Sequence, residues 1–244
     1  SRILRLRLAD FFHQPRISWE QRLYGGGYSG AGCAAHDARS LGSSRLCDRD
    51  GTETESERDI CPLGVGEFFE QWGFDLAHLH EEDWDTDIAL ADDFHIHVLP
   101  SQHFSGRFLT RNNTEWCGFA IVTPHRRVYI SGDGGYGKHF KDIGRRFDGF
   151  DLAMMENGQY NMQWHAIHML PNETAQAAED VGARILLPAH GGKFALALHT
   201  WQAPYADLLR ESAGRSYQMV TPLIGEMVDI EHPADFPHWW EGRA

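Results

Sequence analysis

The sequence predicts an α/β fold of stacked layers from about residue 59 onward. Apolar segments of strand length alternate there with segments of helical spacing, and this alternation is typical of a sheet covered by helices. Residues 1–58 show neither period and contain the stretches GGGYSGAG and GTETESERD. We therefore predict two parts, an atypical segment at 1–58 and a folded domain at 59–244.

The elements of the domain follow from periodicity and turn residues, taken in chain order. A first helix before Gly73 is indicated by apolar residues at helical spacing, namely Leu63, Phe68, Phe69 and Trp72. Strands are predicted within 92–100, 116–124, 126–133, 150–156, 184–190 and 225–230. Helices are predicted within 137–147, 171–183 and 200–213. Turns are predicted at 112–113 and 124–126.

Composition restricts the classes of function. The formal net charge of −13 argues against a nucleic-acid partner, because no basic stripe is present to contact phosphates. No run of 18 apolar residues exists, so no membrane span is predicted. The basic N-terminus lacks the apolar stretch and cleavage site of a signal peptide, which predicts a cytoplasmic protein. Fifteen histidines favour metal chemistry or proton transfer.

The cysteines argue against a structural zinc site. Cys33, Cys47, Cys61 and Cys117 form no C-x-x-C pair, which is the spacing that zinc knuckles and redox motifs use. Their even number is compatible with two disulfides, but free thiols in a reducing compartment are the favoured interpretation.

Three strand-like segments end in a polar residue that can bind a metal. They are HVLPSQH, which ends at His103, VYISGDGGYG, which contains Asp133, and ILLPAHGGKF, which contains His190. A strand end is rigid, and the loops beyond several strands can bring their side chains to one point. Imidazole nitrogen and carboxylate oxygen are suitable ligands for zinc and similar dications. The three residues therefore form a candidate metal site, whereas each one alone is explained by an ordinary capped strand end.

The order of these motifs resembles a known family. SQH, SGDGGYG and PAHGGKFALA, preceded by ICPLGVGEFFEQWG, are similar to the metallo-β-lactamase superfamily. The similar branch contains N-acyl-phosphatidylethanolamine phospholipase D and bacterial hydrolases of the L-ascorbate-6-phosphate lactonase type. The resemblance covers about residues 59–209 and implies an αββα sandwich whose N-terminal part is incomplete or abnormal here.

The resemblance also implies a dinuclear zinc site, in which manganese or iron could replace zinc. His103 would bind one metal, Asp133 would bridge the two, and His190 would complete the second. A hydroxide held between the ions attacks a phosphodiester, lactone or amide in such enzymes, because the metals lower the pKa of water and polarise the scissile group.

The other half of that site is absent from the sequence. The family places an early His-x-His-x-Asp-His motif before the first helix, but residues 38–47 (ARSLGSSRLC) contain no histidine and His36 is isolated. His95 and His97 share one face of a strand, but no Asp-His follows them, so we interpret them as strand surface. Three ligands for two metals predict weak metal binding and impaired hydrolysis.

A shifted reading frame would restore the motif. Residues 38–47 can be encoded as GCA CGA TCA TTG GGA TCA TCT CGA CTA TGC. Starting one base later, the same bases encode His-Asp-His-Trp-Asp-His-Leu-Asp-Tyr, which is the missing motif at the expected place. We therefore hypothesise that residues up to about 58 are translated in a shifted frame. Sequencing the coding DNA decides this, because other codons at 38–47 would exclude it.

Four further residues are candidates for the same site. His168 precedes a helix and matches a family position that faces substrate, where it could protonate a leaving group; the alternative is a surface loop residue. Tyr160 and Trp164 could line an apolar substrate cleft or simply pack in the core. His199 could fix a metal ligand through a hydrogen bond or pack at a helix start.

The sequence thus predicts a metal-dependent hydrolase acting on a small-molecule or lipid-like substrate, a phosphodiester, phospholipid or lactone. The alternative is a catalytically inactive binding protein that keeps the same fold. Retention of His103, Asp133 and His190 favours the enzyme, and the missing histidines favour the binding protein. Metal measured on the purified protein discriminates between them.

Overall fold

The computed structural model describes residues 59–71, 76–107, 110–191 and 197–242. The predicted atypical segment 1–58, with its proposed frame shift and Cys33 and Cys47, lies outside these residues. Cys61 and Cys117 lie within them and are not bonded to each other.

Eleven strands and four helices form the described part of the chain. The strands are β1 (Asp59–Pro62), β2 (Leu79–Glu82), β3 (Asp87–Ala91), β4 (Phe94–Pro100), β5 (Gly106–Arg107), β6 (Thr110–Arg111), β7 (Cys117–Val122), β8 (Arg127–Ile130), β9 (Leu152–Glu156), β10 (Ile185–Ala189) and β11 (Gln218–Met219). The helices are α1 (Gly66–Gln71), α2 (His139–Phe147), α3 (Pro171–Asp180) and α4 (Ala203–Glu211), with a 3₁₀ turn at Leu76–His78.

One seven-stranded sheet organises the domain, in the order β11-β10-β9-β8-β7-β4-β3. Strands β8, β9, β10 and β11 pair with one another in parallel, whereas the pairs β3–β4, β4–β7 and β7–β8 are antiparallel. Strand β4 therefore runs in the same direction as β8, because two antiparallel pairings separate them. The carboxyl ends of β4, β8, β9 and β10 consequently meet at one edge of the sheet.

Strict alternation of side chains gives the sheet two apolar faces. Tyr129, Ala153 and Leu186 point to one face, where they pack with Phe140 and Ile143 of α2 and with residues of α3. The neighbouring strand residues point to the opposite face, and their cluster also contains Ile60 of β1. The short parallel pair β1–β2 and helix α1 lie on that second side. This order of layers is the predicted αββα sandwich.

Most predicted elements are confirmed, but the last strand is wrong. The segment 225–230 forms no strand, and β11 at Gln218–Met219 occupies the place beside β10 instead. Since β10 already pairs with β11, the later segment packs on the sheet without a ladder, burying Ile230. Its start is a turn in which the Glu226 carboxylate accepts a hydrogen bond from the backbone N–H of Leu223 at 2.8 Å.

Candidate metal centre

The His103 ring has the hydrogen-bonding arrangement of a neutral metal ligand. Its Nδ1 lies 2.7 Å from the carbonyl oxygen of Phe104, and a carbonyl can only accept, so Nδ1 carries the hydrogen. The lone pair is then on Nε2, which is buried and has no hydrogen-bond partner among the described residues. Burial lowers the pKa of His103 and so favours the neutral ring. Metal-binding histidines are commonly oriented by such a bond from the other ring nitrogen.

Asp133 supplies a carboxylate oxygen that, like His103 Nε2, is buried and has no hydrogen-bond partner among the described residues. It lies three residues beyond β8, and its backbone carbonyl accepts a hydrogen bond from the Ser101 hydroxyl at 3.1 Å. Its Oδ1 lies 3.2 Å from Nδ1 of His190. Its Oδ2 is buried, and within the described ranges it has no hydrogen-bond partner. A buried carboxylate oxygen without a partner is costly, which is expected where a cation completes the site.

His190 follows β10 directly and has a left-handed backbone, with φ of 64°. Few non-glycine residues adopt this conformation, and such strain is concentrated at functional sites. The conformation depends on Gly158, because a Cβ at that position would lie 1.9 Å from the His190 carbonyl oxygen. The chain therefore places the His190 ring beside Asp133 by means of a close backbone contact that only glycine permits.

Gly158→Ala is accordingly expected to displace His190 and to weaken metal binding by about tenfold or more, as misplacing a ligand does. Isothermal titration with Zn²⁺ measures this change. Gly214→Ala is the control, since its Cβ would meet nothing within 4 Å and only its φ of +77° adds strain. Equal zinc affinity in the wild type and Gly158→Ala would contradict this account of His190.

His168 joins the two predicted histidine ligands in one group. Its ring centroid lies 5.1 Å from that of His103 and 5.5 Å from that of His190, the latter pair being nearly parallel. Its Nδ1 lies 3.1 Å from Oε1 of Glu156, a carboxylate at the end of β9 that is 1% exposed. Single ligand atoms of Glu156, His168 and His190 all lie within 4.8 Å of one another.

The structure thus brings His103, Asp133, His190 and His168 together and adds Glu156, to which sequence analysis assigned no role. The signal was present in the sequence, because Glu156 is also a polar residue at a strand end. It was weaker only because the following Asn-Gly is also an ordinary turn sequence.

Tyr160 and His199 form a contact between the loops beyond β9 and β10, and Trp164 forms one within the first of these loops. The Tyr160 ring stacks on His199 with centroids 4.3 Å apart, and its hydroxyl donates to Asp207 of α4 at 3.0 Å. Burial and the Asp207 carboxylate raise the pKa of Tyr160. The Trp164 indole donates to the carbonyl of Gln159 at 2.6 Å, and His199 Nδ1 lies 2.9 Å from the carbonyl of Thr200. Their substrate-binding and ligand-fixing roles stay predictions.

His95 and His97 belong to another place on the sheet. Both lie on β4, with their Nδ1 atoms 2.9 and 3.7 Å from Oδ1 of Asp87 on the neighbouring strand. The His97 ring contacts Phe147 of α2, so this face of β4 is covered by a helix. The pair is therefore part of the sheet surface beneath α2.

The donor set suits a dication. A lone pair on His103 Nε2 and a free oxygen on Asp133 are buried in a group that also contains His190 and His168. Nitrogen and carboxylate donors in this mixture are typical of zinc, manganese and non-haem iron sites. Among the described residues the group supplies fewer donors than two fully coordinated ions require.

Comparison with known proteins places the chain among hydrolase-like relatives. Residues 42–191 match a family model described as the beta-lactamase superfamily domain. The chain is 40% identical over 184 residues to an uncharacterized protein of Mycobacterium tuberculosis, covering 74% of this chain and 49% of that protein. It is 32% identical over 178 residues to the N-acyl-phosphatidylethanolamine-hydrolyzing phospholipase D of Saccharomyces cerevisiae, covering 68% of this chain and 38% of that enzyme. The chain thus spans about half, or less, of the length of these two relatives.

A solved structure supports the fold independently. Igni18, a metallo hydrolase of Ignicoccus hospitalis, superposes with a TM-score of 0.54 over 70% of this chain and 67% of its own, at 16% identity. At that identity the likeness shows the fold alone.

A shorter match bears on location. The chain is 56% identical over 106 residues to a Klebsiella pneumoniae protein named outer membrane protein RomA, covering 43% of this chain and 80% of that protein. Within the described ranges, no helix has the length and apolar character needed to cross a membrane. The predicted cytoplasmic location stays a prediction.

Proposed function

Because this chain belongs to the beta-lactamase superfamily, we propose that it is the body of a metal-dependent hydrolase with a buried catalytic centre at the edge of its main sheet. The observation that carries the proposal is a pair of buried donor atoms, His103 Nε2 and Asp133 Oδ2, in a group with two more histidines. Neither atom has a hydrogen-bond partner among the described residues. Eleven buried polar atoms lack a partner within the described ranges. These two are distinguished by lying in one group of histidines and carboxylates, where a bound cation explains both at once.

His103, Asp133 and His190 would hold the metal in this proposal. When bound, the metal supplies an acidified water and a Lewis acid that polarises the scissile group. The protein's own contribution is orientation. The bond from His103 Nδ1 to Phe104 fixes one ligand, and the close contact at Gly158 fixes another. The His168 ring contacts both ligand rings, and there it can transfer a proton to the leaving group.

A phosphodiester or lactone, including a phospholipid-like molecule, is the proposed substrate class. The name of the yeast relative, a phospholipid-hydrolysing enzyme, supports this choice. Several loops near the sheet edge that carries the site expose large apolar residues, including Met162 and Leu198, which suit contact with an acyl chain. Zinc is the proposed metal, with manganese or iron as alternatives.

The proposed activity is impaired in this chain. The proposed ligands His103, Asp133 and His190 are present, but residues 38–47 contain no histidine to complete the site. The shifted frame described above is our explanation, and sequencing of the coding DNA tests it directly.

Metal content and hydrolysis measured on the purified full chain test the function. We expect less than two zinc or manganese ions per chain by mass spectrometry, and slow metal-dependent hydrolysis of bis(p-nitrophenyl) phosphate. About two tightly bound ions would contradict the claim that the metal site is incomplete. No metal binding at millimolar zinc would overturn the hydrolase proposal.

The second candidate is an inactive protein that uses the fold for binding. The absence of histidine from residues 38–47 favours it. Metal bound without any turnover of phosphodiester, phospholipid or lactone substrates is its distinguishing result.

A further inference from the structure

Glu156 is a buried carboxylate, and both of its oxygens accept hydrogen bonds. Oε2 accepts a hydrogen bond from the backbone N–H of Met169 at 3.0 Å, and Oε1 accepts one from Gly158 at 3.3 Å. Oε1 also lies 3.1 Å from Nδ1 of His168. The Glu156 carbonyl in turn accepts a bond from the Thr174 hydroxyl of α3 at 3.0 Å. The residue is thereby fixed at both backbone and side chain.

These contacts determine which hydrogen His168 carries. Both oxygens of the buried Glu156 carboxylate accept backbone N–H groups, so the side chain acts as a hydrogen-bond acceptor through each of them. The contact between Oε1 and the ring then takes its hydrogen from the ring, which places that hydrogen on Nδ1 of His168. Its Nε2 is then the ring nitrogen available to the space beside His103 and His190.

The same contacts argue that Glu156 does not bind the metal. Its distances to His168 and His190 would permit a shared ion, but both oxygens already accept hydrogen bonds from the fixed loop. Asp133, by contrast, keeps a buried oxygen without a partner among the described residues. The two carboxylates therefore have different roles, one as ligand and one as support for a histidine.

We propose that Glu156 is a positioning residue that holds His168 in the tautomer with hydrogen on Nδ1. Nε2 is then the ring nitrogen that exchanges a proton with the substrate. The catalytic consequence rests on the proposed hydrolase function, whereas the tautomer does not. In the protonated ring, the Nε2–H bond breaks and its hydrogen passes to the leaving-group oxygen. That oxygen takes the electron pair of the scissile bond, and neutral His168 remains bonded to Glu156 through Nδ1–H.

Histidine nitrogen NMR on the full chain tests the tautomer without any need for turnover. At pH about 8.5, above the ordinary histidine pKa, we expect the His168 ring to show a protonated Nδ1 and a bare Nε2. His168→Asn identifies its signals. Glu156→Gln replaces one acceptor by an amide N–H₂, so we expect the tautomer preference to shift towards Nε2–H. A wild-type ring with hydrogen on Nε2, or a spectrum unchanged by Glu156→Gln, would overturn the proposal.

Metal content and kinetics separate positioning from metal binding. Glu156→Gln is expected to keep the wild-type metal content and KM but to lose about 10–100-fold in kcat on bis(p-nitrophenyl) phosphate, the usual effect of removing such a support. Loss of metal from a folded Glu156→Gln protein would instead make Glu156 a ligand and overturn the proposal. Glu156→Asp keeps both charged acceptors if the amide variant fails to fold, and it is expected to retain the Nδ1–H tautomer.

Glu173→Gln is the matched control. Glu173 also accepts a backbone hydrogen bond in the same region, from Leu170 at 2.9 Å, where it caps α3. Its replacement is expected to lower stability without changing the His168 tautomer; an equal change in both variants would overturn the specific role of Glu156. A wild-type chain that neither binds metal nor turns over substrate refutes the hydrolase proposal, and the NMR result still decides the role of Glu156.

Discussion

Asp133→Asn is expected to abolish most of the zinc affinity of this chain while leaving the metal-free protein folded. Its unpartnered Oδ2 is the one carboxylate oxygen in the group that no described hydrogen bond occupies. Asparagine has nearly the same shape, and its remaining oxygen can keep the contact with His190. Losing the anionic ligand should weaken zinc binding by at least about 100-fold, more than the loss of a ligand's hydrogen-bond partner costs.

Thermal unfolding with and without Zn²⁺ measures this effect. A ligand at 100 times its Kd stabilises the folded state by about 2.7 kcal/mol, and a 100-fold weaker site at the same concentration gives about 0.4 kcal/mol. The zinc-induced rise in Tm should therefore nearly disappear, with little change in the Tm of the metal-free protein.

Asp87→Asn is the control for a carboxylate beside histidines. Asp87 of β3 contacts His95 and His97 of β4 beneath α2, and none of the candidate metal ligands is among these partners. We expect it to keep the wild-type response to zinc. If Asp87→Asn removed the response and Asp133→Asn did not, the metal would bind at the wrong carboxylate for the proposed function.

The fold was predictable wherever the period of the side chains was unambiguous. Strands such as β8 and β10 place alternate residues on two buried faces, so they appear in the sequence as short apolar runs. The segment 225–230 also contains apolar residues but forms no strand. Sheet membership depends on which segment reaches the free edge of β10, and the two-residue β11 does so first. Which segment pairs with β10 depends on the tertiary fold, so the local sequence pattern does not predict it.

The site was predictable in part for a topological reason. His103, Asp133 and His190 come together because β4, β8 and β10 run in the same direction and end at one sheet edge. The role of Glu156 could not be predicted, because it depends on a loop that returns the His168 ring and the Met169 N–H to the end of β9. Sequence spacing gives no measure of such a return.

Restoring the shifted reading frame is expected to produce the largest gain of function. The altered gene would encode His-Asp-His-Trp-Asp-His-Leu-Asp-Tyr in place of the present sequence of residues 38–47. It would continue in that frame to about residue 58, where the present frame resumes. The motif adds three imidazoles and a carboxylate to a site that has His103, Asp133 and His190. Since strong zinc binding uses three or four protein ligands per ion, we expect two ions per chain and at least about 100-fold faster hydrolysis of bis(p-nitrophenyl) phosphate.

The control is the same restored segment with its histidines changed to asparagine, which keeps the length and the frame but removes the donors. If both restored proteins gained activity equally, the gain would come from better folding of the N-terminal segment and not from ligands. If the gain required the histidines and was lost again on adding Asp133→Asn, the two halves would act as one metal centre. That dependence is the decisive result, because an isolated new zinc site in residues 38–47 would not depend on a carboxylate at the end of β8.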